Sequence, residues 1–169
     1  MPEPLAAGNG VVVVPMWVSI GGRQYRDGEL GISEVLARFH EGVSTSGPSP
    51  GELAEAVAGA DHGDGVVVLT ISSRMSSVYE SARIAAASLE AEQVAVVDTG
   101  TAAGAQGLVV LAAVQAARSG LGLPRVVAVA NEAARSTKLL ATLPSLEHLA
   151  RGGRVPGAAA WGRKSKEGM

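Results

Sequence analysis

Four serines, Ser72, Ser73, Ser76 and Ser77, lie within six residues. They follow an apolar run at 66–71 (VVVLTI) and precede a helix-like stretch. That order reads as a buried strand, a hydroxyl-rich turn and a helix N-terminus. Such a turn offers O–H donors, free backbone N–H groups and the positive end of a helix dipole to one point in space. It could hold a small anionic or polar headgroup. A second hydroxyl cluster, Ser44-Thr45-Ser46, lies upstream. Whether the two clusters face each other decides what they can do together.

Other chemistry finds less support. The serines also read as plain turn and capping residues, which are ordinary between a strand and a helix. A nucleophilic Ser73 or Ser76 would need a base. The only histidines are His40, His62 and His148, none near in sequence, and the sequence is read as having no G-x-S-x-G elbow. A serine hydrolase therefore ranks last. Asp61-His62-Gly63-Asp64 lacks the ligand spacing of a closed metal site and reads as a polar loop. Asp98 reads as the polar end of a buried run, with no identifiable acid/base partner. Gly104 and Gly107 open an apolar helix, where close packing explains them, and no nucleotide-binding glycine pattern is present. No metal or cofactor is expected, and with no cysteine in the chain, disulfides and thiolate catalysis are excluded.

The elements that must position these groups follow from composition and periodicity. The 169 residues suit one domain, with 47% hydrophobic but 3% aromatic residues, so the core must be Val, Leu, Ala and Ile. The net charge of -2 without a basic block gives no nucleic-acid footprint. The N-terminus lacks the basic and apolar regions of a signal peptide. No stretch reaches the roughly 18 apolar residues of a membrane span. A cytoplasmic location is expected.

Residues 11–20 read as extended, with Pro15 demoting them to an edge strand or two short strands with a bend. Gly21-Gly22 is a turn signal, and residues 23–26 return as a hairpin. Ile32, Val35, Leu36 and Phe39 form an amphipathic helical stripe, with Ser33 as N-cap and Gly42 as stop. Residues 43–51 read as a loop. Ser49-Pro50-Gly51-Glu52 is a capping box with Pro at the first helical position, and Leu53 and Val57 are that helix's buried stripe. Residues 61–65 are a loop, and 66–71 a strand of a buried parallel sheet. Ser77-Val78-Tyr79-Glu80 is a second capping box, opening a helix to about residue 90. Residues 94–97 are another buried strand and 102–118 a helix apolar on nearly all sides. Residues 124–135 read as helix, with strand as the alternative. A last strand is expected at 137–143, a short helix at 144–150 and a patternless tail at 156–169. The alternation predicts an α/β fold, a three-layer sandwich with a mainly parallel sheet. Ligands in such sheets bind beyond the carboxyl ends of the strands, where the 72–77 and 98–101 turns emerge.

Five segments then fall in a familiar order: VVVVPMWVSIGGRQYRDG, STSGPSPGEL, VVVLTISSRMSSVYESARIAA, VAVVDTGTAAGAQGLVVLAA and LPSLEHLARGGRV. Over roughly residues 4–155 the chain resembles the DegV family of bacterial fatty-acid-binding proteins, some of which present acyl chains to a fatty acid kinase. The resemblance implies a long-chain fatty acid as ligand, a place in phospholipid metabolism and no catalytic residue. It implies that the carboxylate is held by Thr45 and Ser46 from one loop and Ser72, Ser73 and Ser76 from another. In the family a histidine of a second domain assists.

Three departures qualify it. The family's first strand with its Asp-Ser-Thr-like turn is not in this sequence. After Arg154 the family continues into a second domain, where this sequence has a tail. The turn reads Ser76-Ser77-Val78 where Ser-Gly-Thr is usual, and Ala102-Ala103 replaces a Ser-Met pair. The expected organisation is a DegV-like α/β domain over 1–155, truncated at its N-terminus, and a tail or stub of a missing second domain over 156–169. The alternative function is a truncated, non-binding remnant or interaction module that forms a homo-oligomer, dimerising through an exposed apolar face.

Overall fold

The computed structural model describes residues 1–89, 93–140 and 142. It divides into two compact units, Met1–Leu139 and Leu140–Met169, and the described strands and helices all belong to the first. The expected helix at 144–150 and the tail at 156–169 lie outside the described residues.

The centre of the first unit is a parallel pair of strands. β4 (Val66–Thr70) and β5 (Val94–Asp98) pair in register, from Val66 opposite Val94 to Thr70 opposite Asp98. Side chains alternate across the pair. Val67, Leu69 and Val97 pack on one face against α5 (Ala103–Arg118) and α6 (Leu123–Ser136), through Val109, Ala113, Ala116, Val126 and Ala130. Val68 and Val96 pack on the other face against α3 (Pro50–Ala60) and α4 (Val78–Ser88), through Leu53, Val78, Ala82 and Ala85. Helices cover both faces of the pair, which is the three-layer α/β sandwich that the alternation predicts. Alanines at the contacts let the helices approach closely. Fully burying a Val or Leu side chain in these layers contributes roughly 1.5–3 kcal/mol.

Gly65 sets the start of the pair at φ +88°. A Cβ there would lie 2.8 Å from the Gln93 carbonyl oxygen, which already accepts the Val66 amide. Gly65→Ala adds left-handed strain of about 1–2 kcal/mol to that backbone collision. Thermal unfolding of the variant is expected several degrees lower, and an unchanged midpoint would refute the assignment.

A second, antiparallel sheet carries the upstream hydroxyl cluster. Its order is β2-β1-β3, with β1 (Trp17–Ile20), β2 (Arg23–Arg26) and β3 (Val43–Ser46). The hairpin turn is Gly21-Gly22, both at positive φ (+56° and +80°), as a tight turn matched to strand twist requires. Two expectations need correction. The strand within 11–20 is short and central rather than an edge: ladder pairing begins only beyond Pro15, and Trp17–Ile20 then pairs on both sides. Residues 43–46 are not loop, because the free edge of β1 takes them in, with Trp17 opposite Ser46 and Val18 opposite Thr45.

Other boundaries shift for physical reasons. α1 (Glu3–Gly8) was not anticipated; Pro at the start of a helix costs nothing, and Arg118 bonds Asn9 Oδ1 and the Gly8 carbonyl, both at 3.0 Å. α2 (Ile32–Ala37) is capped by Gly31, not Ser33, and Phe39 falls in a following single turn. Its stripe is not buried: Ile32 is 71% and Leu36 63% exposed. α5 likewise leaves Leu108 60% exposed. Residues 124–135 are helical. Of the strand expected at 137–143, the described residues, 137–140 and 142, carry no strand.

Candidate functional site

The serine turn closes on itself through backbone bonds. The Met75 and Ser76 amides donate to the Ser72 carbonyl at 2.9 and 3.2 Å, and the Ser72 amide donates to the Thr101 carbonyl at 2.8 Å. Ser72 is 4% exposed, and its hydroxyl accepts the Arg74 amide at 3.3 Å. It shapes the turn from inside. The Ser73 amide donates to both carboxylate oxygens of Asp98 at 3.2 Å, and the Gly100 amide donates to Asp98 Oδ1 at 2.8 Å. Burial pushes the Asp98 carboxyl up. The Ser73 hydroxyl and the Gly100 and Ser73 amides more than offset this, so its pKa lies below the ordinary Asp value.

Ser77 precedes α4 but makes no side-chain cap, which corrects the expected capping box. It sits at φ -74°, ψ 0°, outside the extended region a capping side chain needs. Ser76 does that work instead, its Oγ accepting the Val78 amide at 3.3 Å. The Ser76 O–H has no acceptor among the described residues, and Ser77 is exposed. The amides of Ser77, Tyr79 and Glu80 have no acceptor among the described residues. Outward-facing donors therefore gather at the start of α4.

The upstream cluster reaches the same point. Ser44, Thr45 and Ser46 are exposed on β3. One residue further on, a Cβ built on Gly47 would stand 3.5 Å from Val78 Cβ, in ordinary contact with the first residue of α4. The end of β3 thus abuts the N-terminus of α4. Because strand side chains alternate, Thr45 and Ser46 leave opposite faces of β3. One hydroxyl at a time can turn toward α4.

The segment from Ser46 to Ser49 is clamped at both ends. Ser46 pairs with Trp17, over whose ring the Arg26 guanidinium stacks at 3.7 Å. Arg26 also pairs with Glu52. Glu52 completes the predicted capping box, accepting the Ser49 amide at 2.7 Å while its own amide donates to Ser49 Oγ at 3.2 Å. The Ser49 amide and hydroxyl, then Arg26, hold the Glu52 carboxyl down at about 2. A carboxylate held below its unfolded value, about 4.3, stabilises the fold above that pH and loses the contribution as pH falls through about 2. The letters G-x-S-x-G do occur here, at residues 47–51, but Ser49 is a helix cap with its hydroxyl engaged by the Glu52 amide and no imidazole of the described residues bonded to it.

Sequence reasoning missed two residues. Asp98 had no visible partner because Ser73 comes from the neighbouring parallel strand's turn. Ser77 was set aside as a cap. Elsewhere, Asp61 Oδ1 accepts the Gly63 amide at 2.9 Å, a local turn rather than a metal ligand. Among the described residues no group of His, Asp and Glu could hold a metal ion, and no helix is long and apolar enough to cross a membrane.

Comparison with known proteins identifies the family. A protein-family model described as an uncharacterised protein of the DegV family matches residues 1–163. A DegV domain-containing protein of Deinococcus radiodurans is 38% identical over 164 residues, covering 94% of this chain and 58% of its own length. One from Mycobacterium tuberculosis is 34% identical over 164 residues, covering 95% and 58%. The chain thus spans a little over half the length of these relatives. Among solved structures, a fatty-acid-binding DegV family protein from Thermus thermophilus superposes with a TM-score of 0.85 at 35% identity, covering 95% of this chain and 59% of that one. A DegV family protein from Eubacterium eligens, loaded with heptadecanoic acid, gives 0.78 at 27% identity, covering 89% and 57%. With the family pattern matched along almost all of its residues, the chain belongs to the DegV family.

Proposed function

We propose that this chain binds a long-chain fatty acid, with the carboxylate seated between the end of β3 and the start of α4. The close approach of Gly47 to Val78 carries the reading, because it brings the end of β3 that bears Thr45 and Ser46 beside the exposed donors of the serine turn. Ser76 and Ser77 supply hydroxyls, and the free amides of α4 add the positive end of its dipole. Ser72 and Ser73 support the turn, the first from its interior and the second through Asp98. Hydroxyl and amide donors can hold a carboxylate without a fixed counter-charge. The chain acts as a carrier without a catalytic residue and presents the acyl group to a fatty acid kinase in the cytoplasm. The fatty-acid ligands of the Thermus and Eubacterium relatives support the ligand class. Organic extraction of the purified protein followed by mass spectrometry is expected to recover fatty acid. Protein that is empty, and takes up neither oleate nor palmitate when offered, would overturn the proposal.

A second reading rests on α2. Its exposed Ile32 and Leu36 offer apolar surface for self-association in a non-binding module. Light scattering separates the two, since a stable monomer at low concentration counts against self-association.

A further inference from the structure

Beside the serine turn, whose Met75 forms part of its wall, a cavity of about 530 Å³ lies between the 99–101 turn and the end of α6. It is within the roughly 300–1,000 Å³ usual for small-molecule sites. Thr99, Thr101, Arg135, Thr137 and Lys138 contribute its polar lining, and no acidic residue lines it among the described residues. The two buried hydroxyls of the 99–101 turn differ. Thr99 Oγ1 donates to the Thr70 carbonyl at 2.8 Å. Thr101 is 6% exposed, and its Oγ1 has no hydrogen-bond partner among the described residues. A buried hydroxyl left unpaired is costly and marks a place where a partner belongs.

The cations are available too. Arg135 pairs with Glu132 at 2.5 Å, but both side chains are more than two-thirds exposed, and such surface pairs are weak and readily exchanged. Lys138 has no ion pair among the described residues. The nearest carboxylate in sequence to the 99–101 turn, Asp98, is engaged by the Ser73 and Gly100 amides. One guanidinium, one ammonium and a hydroxyl without a partner among the described residues, around a cavity that no described acid lines, are the chemistry of oxyanion recognition.

We propose that this cavity is a second binding site, bordering the fatty-acid headgroup site at Met75, and that it takes a phosphate-class oxyanion. The space exceeds what a bare phosphate needs, so the oxyanion arrives on an organic body, either a free phosphate ester or a phospholipid headgroup. Arg135 and Lys138 hold its charge, and the Thr101 hydroxyl donates to one oxygen.

Isothermal titration of the full chain at low salt tests this with three probes: inorganic phosphate, glycerol 3-phosphate and a soluble short-chain phosphatidic acid. Binding of at least one is expected. Arg135→Gln with Lys138→Gln should weaken it at least tenfold, and Thr101→Val by a few-fold, while oleate uptake stays unchanged in all variants. Tighter binding of glycerol 3-phosphate than of phosphatidic acid supports a free ester, and the reverse order a lipid headgroup. Absence of binding by all three probes at millimolar concentration overturns the proposal. So does undiminished binding by the Arg135/Lys138 variant. Loss of oleate uptake in that variant would merge the cavity with the fatty-acid site and overturn its separateness. Because the probes carry no long acyl chain, failure here leaves the fatty-acid reading standing, and failure of that reading leaves this test intact.

Discussion

Replacing Thr45 by Val together with Ser76 by Ala is expected to abolish fatty-acid uptake. Each change removes one hydroxyl donor to the proposed carboxylate, one from β3 and one from the serine turn. A hydrogen bond to a charged group contributes about 1.5–3 kcal/mol. Losing both costs about 3–6 kcal/mol, or between roughly a hundredfold and ten-thousandfold in affinity. The acyl chain still gains about 0.8 kcal/mol per buried CH₂, so weak partitioning of long chains would persist without saturable binding. The fold should survive. Val is at least as good a strand former as Thr on β3. Ser76→Ala frees only the Val78 amide, at the scale of a lost helix cap, about 0.5–2 kcal/mol. The single variants sharpen the assignment: because Thr45 and Ser46 leave opposite faces of β3, Thr45→Val should weaken binding far more than Ser46→Ala. Radiolabelled oleate uptake by well-folded double variant at the unsubstituted level would refute the headgroup site.

Local signals were readable from sequence, and pairing between distant segments was not. The Ser49 capping box and the 66–71 strand depend on neighbours within a few residues, and both stand as expected. Val43-Ser44-Thr45-Ser46 has neither apolar alternation nor bulk. It becomes a strand only because β1, more than twenty residues earlier, offers it an edge. Ser77-Val78-Tyr79-Glu80 has the letters of a capping box, but the turn places Ser77 in the wrong backbone region, and Ser76 takes the amide. Ile32 and Leu36 have helical spacing and do form a helix, yet periodicity alone cannot say that a stripe has nothing to cover it. The site was half legible for the same reason. Serine content marked the turn, while the meeting of β3 with α4 at Gly47 and Val78 belongs to the tertiary fold.

Asp98→Ala is expected to damage stability and binding together, because this carboxylate joins the two strand-end turns. Thr70 and Asp98 are opposite each other in the parallel register, so the turns leaving β4 and β5 start side by side. Asp98 turns that adjacency into a fixed geometry by accepting the Ser73 and Gly100 amides. Alanine leaves both amides to water or to nothing, a loss of about 1–3 kcal/mol. For a chain of this size that is a fall in unfolding midpoint of roughly 2–12 °C. The serine turn would lose the contact that orients it, and fatty-acid affinity should drop with it. Asp98→Asn separates geometry from charge. Its amide oxygen can still accept one N–H, so stability near neutral pH should lie between wild type and alanine. The sign of the acid dependence follows from the depressed carboxyl. In the native protein the Asp98 contribution is present above the unfolded value near 3.9. It is lost as pH falls through the lower folded value. The asparagine variant has no such proton to take up, so its unfolding midpoint should fall less steeply below pH 4 than that of the native chain. Parallel acid limbs in the two proteins, or an alanine variant with native stability and native uptake, would show that Asp98 does not hold the turns together.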